Sequence, residues 1–239
     1  MKISLCIPTM NRWDFLKENL PKYLENPYID EIVICDENGN DVKEINNTFT
    51  SEKIRTFVND TVLGAFYNKE KVVSFAKNEI VCLMDSDNFA PLSYFEAFIE
   101  YTKAHGFHPN TVYIPARTIP QADHGGFDFR NFLGNTINRQ NASTVFKLNE
   151  TLFNVGNYIF SKELFEKAKI PKHMEKLGNI CYALDVLLQN YLFFKICPET
   201  EFVLVPNMEY HHIVHEGSYY LTTHQNIETN IFNTLFCNL

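Results

Sequence analysis

Val81 to Phe89 reads VCLMDSDNF, an apolar run of four that passes straight into Asp85-Ser86-Asp87. A run this short, ahead of polar residues, suits a strand buried on both faces of a parallel sheet. Its carboxylates are expected to emerge at the strand's carboxyl end, where open α/β sheets take their ligands. Residues i and i+2 of extended chain point the same way, so Asp85 and Asp87 should share one crevice. Two hard oxygen donors there suit Mg²⁺ or Mn²⁺, ions that keep waters and draw the rest of their shell from substrate phosphates. A solvated turn is the competing reading of two Asp at this spacing.

Outward from this strand the pattern repeats. Upstream, Ile3 to Pro8 is an apolar run ending in Thr9-Met10-Asn11-Arg12, and Phe15, Leu16, Leu20, Tyr23 and Leu24 follow at helical spacing. Pro21 should weaken or kink that helix. Ile32 to Cys35 is a second buried strand that stops at the turn-forming Asp36-Glu37-Asn38-Gly39. Ile54 to Val58 is a weaker third, and Ala65 to Lys77 reads as a helix with Phe66, Val72, Val73 and Ala76 inward. Downstream, Pro91 opens a helix that Gly106 ends, and Val112 to Ala116 is one more strand. The alternation predicts an α/β fold with a mostly parallel sheet and helices on both faces.

From Arg117 to Asn149 periodicity fails, and the segment is rich in Asn, Gly and aromatics. A stretch this long without regular structure reads as a binding lid. Its aromatics either stack on sugar faces, on the acceptor side of a site, or pack in the core. Thr151 to Phe160 reads as a strand entering a Ser161-capped helix, Cys181 to Phe194 is apolar nearly throughout, and Glu201 to Pro206 is a further strand. Three histidines, His211, His212 and His215, follow within YHHIVHEGSYY.

The chain has 239 residues, enough for one large α/β domain, and its 45% hydrophobic content supplies a core. With 29 acids against 21 Lys plus Arg the formal charge is -8, and no basic cluster stands out. Nucleic acid is therefore not an expected partner. No apolar stretch approaches the roughly 18 residues of a membrane span, and Met1-Lys2 leads into a run too short for a signal peptide. A cytoplasmic protein without a transmembrane segment is expected. Cys6, Cys35 and Cys82 fall in predicted strands and none of the six cysteines forms a CxxC pair, which fits reduced core thiols.

Polar or acidic groups thus end three strands: Thr9 to Arg12, Asp36, and the DSD. Such a site suits a nucleoside diphosphate, and with no GxGxxG or GxxxxGK[ST] a metal must carry the phosphate charge. CIPTMNR, VICDENG, Gly64 to Asn68, CLMDSDN, VGNYIFSKELFEKA, LDVLLQNY and IVHEGS resemble, in order, the blocks of family 2-type glycosyltransferases with the GT-A fold, from residue 3 to about 218. The resemblance implies a single nucleotide-diphospho-sugar-binding, Rossmann-like domain over residues 1–239, with a nucleotide-sugar-binding half (1–116) and an acceptor-binding half (117–239). It implies transfer from a nucleotide-sugar donor, UDP-linked by preference, to a glycan or other hydroxyl acceptor, with inversion. It places Pro8, Thr9, Asn11, Arg12, Asp36, Asn68, Asp85 and Ser86 on the nucleotide-sugar. Asp85 and Asp87 become metal ligands for Mn²⁺ or Mg²⁺. Phe66-Tyr67 stand before Asn68 where the family has Ala-Arg.

The family's base is a late acid, commonly in a Glu-Asp pair at a helix start. Here Asp185 stands there, preceded by Leu184. A lone Asp in so apolar a stretch should be partly desolvated and its pKa raised toward the range useful to a base. The other reading puts Asp185 on a narrow exposed stripe, with Glu216 and Asp123 as the next acids. His215-Glu216-Gly217-Ser218 has the shape of the family's H-x-x-S segment, which makes His215, ahead of His211, the candidate third metal ligand. Two alternatives stand beside this reading: a haloacid-dehalogenase-type phosphatase, whose DxD also ends an apolar strand, and an inactive nucleotide-sugar-binding pseudoenzyme.

Overall fold

A computed structural model describes residues 1–119, 126–180, 184–216 and 229–239. The chain starts with β1 (Ile3–Thr9), α1 (Trp13–Glu25), β2 (Ile29–Asp36), α2 (Asn40–Thr48), β3 (Ile54–Val58), α3 (Ala65–Ser74), β4 (Ile80–Leu83) and α4 (Leu92–His105). There follow β5 (Thr111–Ile119), β6 (Thr136–Asn138), α5 (Ala142–Leu148), β7 (Ile159–Ser161), α6 (Lys162–Lys167), α7 (Glu175–Ile180), α8 (Asp185–Ile196), β8 (Glu201–His211) and α9 (Thr229–Cys237).

The strands form one sheet in the order β3-β2-β1-β4-β7-β5-β8-β6. β3, β2, β1 and β4 are mutually parallel, β5 and β8 are parallel, and β7 and β6 run antiparallel to their neighbours. The expected mostly parallel α/β sheet is present. Strand alternation sorts its side chains onto two faces. Cys6, Val33, Cys35, Val81 and Leu83 pack with α3, α5, α6, α8 and α9 on one side. Leu5, Ile7, Ile32, Ile34, Cys82 and Met84 pack with α1, α2 and α4 on the other. Burial on both faces is why β1, β2 and β4 read as continuous apolar runs. Among the described residues, no helix is long and apolar enough to cross a membrane.

Chain order reverses at β1, which has β2 on one side and β4 on the other. Such a switch point opens a crevice at the carboxyl ends of the strands, and Thr9 and Asp85 stand on its two sides. A second feature closes the far wall. Phe89, just past the DSD, makes an antiparallel bridge to His211, donating to its carbonyl (3.1 Å) and accepting from its N–H (2.8 Å). The end of β8 thereby carries residues 212–216 to the DSD.

Several sequence expectations need correction. Asn40–Thr48 is a helix, unsignalled because its inward apolar residues are only Val42 and Ile45. Residues 151–158 are not a strand: Glu150–Asn154 is a 3₁₀ turn, and only Ile159–Ser161 joins the sheet. Ser161 does cap α6, its Oγ accepting from Leu164 N–H (3.3 Å). The 117–149 segment is not one irregular lid, since it holds the end of β5, β6 and α5. Phe129 and Phe146 are core residues at 2% and 3% exposure, so of the two readings of these aromatics core packing holds for them.

Candidate active site

A cavity of about 510 Å³ occupies the crevice, within the roughly 300–1,000 Å³ common for ligand pockets. Pro8, Thr9, Met10 and Arg12 line it from the end of β1, Asn68 and Lys69 from α3, and Asp85 to Asn88 from the turn after β4. Asp185 and Val186 enter from the start of α8, and Tyr210, His212, Ile213 and Val214 from the end of β8.

The DSD turn is fixed by its backbone. Asp85 N–H donates to Asn157 Oδ1 (2.8 Å), and Asn88 N–H donates to the Asp85 carbonyl (3.0 Å). Asn88 Oδ1 accepts from Ile213 N–H (2.9 Å), a further tie between the turn and the 212–216 segment. Asp85 Oδ1 then meets Lys69 Nζ at 2.9 Å, and the same ammonium lies 2.8 Å from Asp185 Oδ2. Asp87 Oδ2 faces His215 Nε2 at 3.2 Å and Arg12 Nε at 3.7 Å.

These pairings set the protonation of the site. Burial alone would raise Asp85, but the Lys69 ammonium and hydrogen bonds outweigh it and hold the carboxyl below its ordinary range. Burial raises Asp87, and repulsion from Asp85 adds to it against the pull of His215 and Arg12. Asp185 is also raised by burial, with Lys69 opposing. Burial would lower Lys69, yet attraction to Asp185 and Asp85 prevails and keeps it charged.

Residues 4–168 match the sequence profile described as Glycosyl transferase family 2. The chain belongs to this family. A search of curated proteins gives no match. Among solved structures it resembles S. aureus TarS 1-349 in complex with UDP, with a TM-score of 0.64 at 14% identity over 100% of this chain and 70% of that one. The TarS 1-349 complex with UDP-GlcNAc gives 0.63 at 14% identity, over 98% of this chain and 64% of that one. S. aureus TarS itself gives 0.59 at 13% identity, and this chain spans 42% of its length. The architecture is the GT-A fold. The family match leaves the phosphatase reading without support.

Not every residue that the glycosyltransferase blocks marked reaches the cavity. Pro8, Thr9, Arg12, Asn68, Asp85, Ser86, Asp87 and Asp185 line it, and His215 borders it through Asp87. Asn11 and Asp36 stand off it. Asn11, at φ +55°, accepts through Oδ1 from Asn38 Nδ2 (3.0 Å) and Asn40 Nδ2 (2.9 Å). Asp36 is fully buried and accepts from the backbone N–H of Asn38 and Val42, so it holds the turn into α2. Its neighbour Glu37 lines the cavity in its place. Asn68 has both ends of its amide engaged, donating to the Cys35 carbonyl (3.1 Å) and accepting from Asn59 Nδ2 (3.0 Å). His211 faces away, its ring stacked on Phe89 at 5.9 Å. Asp185 is 6% exposed, which excludes the exposed-stripe reading. Asp123, Cys181, Tyr182, Ala183, Gly217 and Ser218 lie outside the described residues.

Sequence reasoning missed Lys69, Asp41, Asn157 and His212. Asp41, 1% exposed, accepts from Thr9 Oγ1 (2.5 Å) and from Arg12 N–H (2.9 and 3.0 Å), which moors the loop after β1. The third residue of that loop and the second residue of α2 share no local pattern.

A divalent ion is testable against this donor set. Among the described residues no three His, Cys, Asp or Glu side chains converge on one point. Asp87 Oδ2 and His215 Nε2 do lie close enough to share an ion. The cavity carries four carboxylates, Glu37, Asp85, Asp87 and Asp185, against two cations, Arg12 and Lys69. An anionic diphosphate entering it alone would meet net repulsion. The residues fit an ion that completes its shell from phosphate oxygens.

Proposed function

We propose that the chain is an inverting glycosyltransferase that moves a sugar from a nucleoside diphosphate to an acceptor hydroxyl. The observation that carries this is the Lys69 bridge: Asp85, on the donor side, and Asp185 lie within the span of one ammonium, at the wall of one cavity. A donor held over the DSD therefore has its sugar beside a desolvated carboxylate.

Pro8, Thr9, Arg12, Asp85 and Ser86 hold the nucleotide-sugar in this reading, with Asn68 anchoring α3 beside them and Asn11 and Asp36 shaping the loops around it. Asp87 and His215 would hold Mn²⁺ or Mg²⁺, with Asp85 two residues away as a further carboxylate, and the ion would neutralise the charge of the leaving diphosphate. UDP is the favoured nucleotide, because the TarS structures that share the fold hold UDP and UDP-GlcNAc. Residues 1–116 form most of the donor wall. Phe127, Val155, Val186, Ile213 and Val214, all from 117–239, line the rest, and the acceptor enters there.

In the reaction the acceptor oxygen forms its bond to the anomeric carbon as the carbon–oxygen bond to diphosphate breaks. Asp185 takes the hydroxyl proton, and the diphosphate leaves with the electron pair. One displacement at carbon inverts its configuration. Melting-temperature shifts with UDP-, GDP-, CMP- and dTDP-sugars, each with and without Mn²⁺, test the reading. A Mn²⁺-dependent shift with UDP-sugars, followed by acceptor-dependent UDP release, is expected. Stabilisation without any UDP release would make the chain a binding protein instead.

A further inference from the structure

Lys69 carries out no step in the reaction above, yet it is among the most constrained charges in the molecule. Its side chain is 12% exposed and its ammonium lies 2.9 Å from Asp85 Oδ1 and 2.8 Å from Asp185 Oδ2. We propose that Lys69 is a positioning residue, which fixes the carboxylate of Asp185 where the acceptor's proton arrives and references it to the donor-side carboxylate of Asp85. The proposal rests on the glycosyltransferase reading.

Three observations carry it. The first is where the ammonium is mounted. Lys69 sits in α3 next to Asn68, whose amide is bonded at both ends to β2 and to the turn after β3. The helix cannot slide there without breaking those bonds. The second is the asymmetry of the two carboxylates. Asp85 has its backbone N–H held by Asn157, so its main chain stays in place whether or not Lys69 is present. Asp185 begins α8 after Leu184, which gives that helix no side-chain cap, and the N–H of Val186 that bonds its carboxylate belongs to α8 itself and ties it to no other element. Lys69 is its ion-pair partner. The third is burial. A carboxylate 6% exposed loses most of its hydration, and without a countercharge it would turn toward water or take up a proton. A lysine suits this post because a compact ammonium can meet two carboxylates from different directions, whereas a guanidinium imposes a planar fork.

The alternative role is a direct contact of the ammonium with the donor's diphosphate, and the two separate experimentally. Lys69→Met keeps the stem and removes the charge. Misplacing the base should reduce kcat by about 10–100-fold. The affinity for UDP in the presence of Mn²⁺, read by calorimetry, should not weaken, since removing a cation beside Asp85 does not disfavour another. Because Lys69 acts through Asp185, adding Lys69→Met to Asp185→Asn should lower turnover no further. Lys69→Arg should recover part of the loss. Should Lys69→Met not fold, Lys69→Arg carries the same test, with reduced kcat and unchanged UDP affinity expected.

Loss of UDP affinity in step with kcat would overturn the proposal in favour of a phosphate contact. Additive losses with Asp185→Asn would overturn it too, as would a lowered melting temperature with full turnover per folded molecule. A wild-type chain that binds UDP with Mn²⁺ but transfers to no acceptor would instead overturn the functional reading, and this inference with it.

Discussion

His215 Nε2 lies 3.2 Å from Asp87 Oδ2, although 128 positions separate them in the chain. The bridge between Phe89 and His211 creates this proximity, and the ring of Phe15 packs against the imidazole with centroids 4.9 Å apart. The pair supplies one hard oxygen and one nitrogen to the same small volume, the donor types that Mn²⁺ accepts.

Asp87→Ala should therefore abolish Mn²⁺-dependent UDP binding, and a chelator should do the same to the unaltered protein. His215→Ala keeps the carboxylate and should weaken binding by about tenfold, equivalent to roughly 1.4 kcal/mol. Calorimetric titration of UDP with and without Mn²⁺ checks both. Equal losses in the two variants would mean that the imidazole and carboxylate act as one inseparable unit, and no loss in either would remove the ion from this pair.

Asp185→Asn preserves shape and removes basicity. General-base contributions run to about 10²–10⁴-fold, so turnover should drop by that order while UDP affinity holds. Turnover and melting temperature should be measured on the same preparation. Normal turnover in the folded variant would send the proton to another acid, with exposed Glu216 the first to substitute.

The contrast between Asp85 and Lys69 shows what the sequence could reveal. An apolar run ending in DSD announces a buried strand with carboxylates at its end, because strand burial and ligand position follow from local order. Asp185 was legible for a similar reason, as a lone acid in an apolar stretch. Lys69 was not, since a lysine in a helical pattern reads as solvated until another helix covers it. Asp41 and Asn157 escaped likewise, because their partners Thr9 and Asp85 stand 32 and 72 positions away. Phe129 and Phe146 left the sugar-stacking and core readings both open, because irregular chain has no period to mark the inward face.

Glu31 gives the fold a defined acid sensitivity. At 4% exposure it accepts from Ser4 Oγ (2.6 Å) and Lys77 N–H, and pairs with Arg55 Nη1 at 2.7 Å. Burial alone would raise its pKa, but these donors outweigh it and hold the carboxyl below its ordinary value. A folded pKa below the unfolded one means stability that is fully present above the unfolded value, about 4.3, and lost as pH falls through the folded value. Glu31→Gln should reduce stability at neutral pH and flatten this acid limb. Urea midpoints from about pH 7 down to about pH 3 give the test, and parallel profiles for the two proteins would show that other carboxylates set the limb.

Gly156 stands against Val186, the residue after Asp185. A Cβ there would stand 2.5 Å from Val186 Cγ2, closer than real contacts allow, and a tight 3.0 Å from Val186 Cγ1. Val186 follows Asp185 in the first turn of α8, so the helix start must shift or the valine must leave its rotamer. Such overpacking costs about 1–3 kcal/mol, and displacing a base by about 1 Å can cost on the order of 10²-fold in rate. Gly156→Ala should thus lower both stability and kcat while Mn²⁺-dependent UDP binding persists, because the donor-side residues are mounted on β1, α3 and the turn after β4. Adding Val186→Ala removes the two methyl groups in conflict. The double variant should regain turnover relative to Gly156→Ala alone, and a double variant no faster than the single one would show that Gly156 does not act through the start of α8.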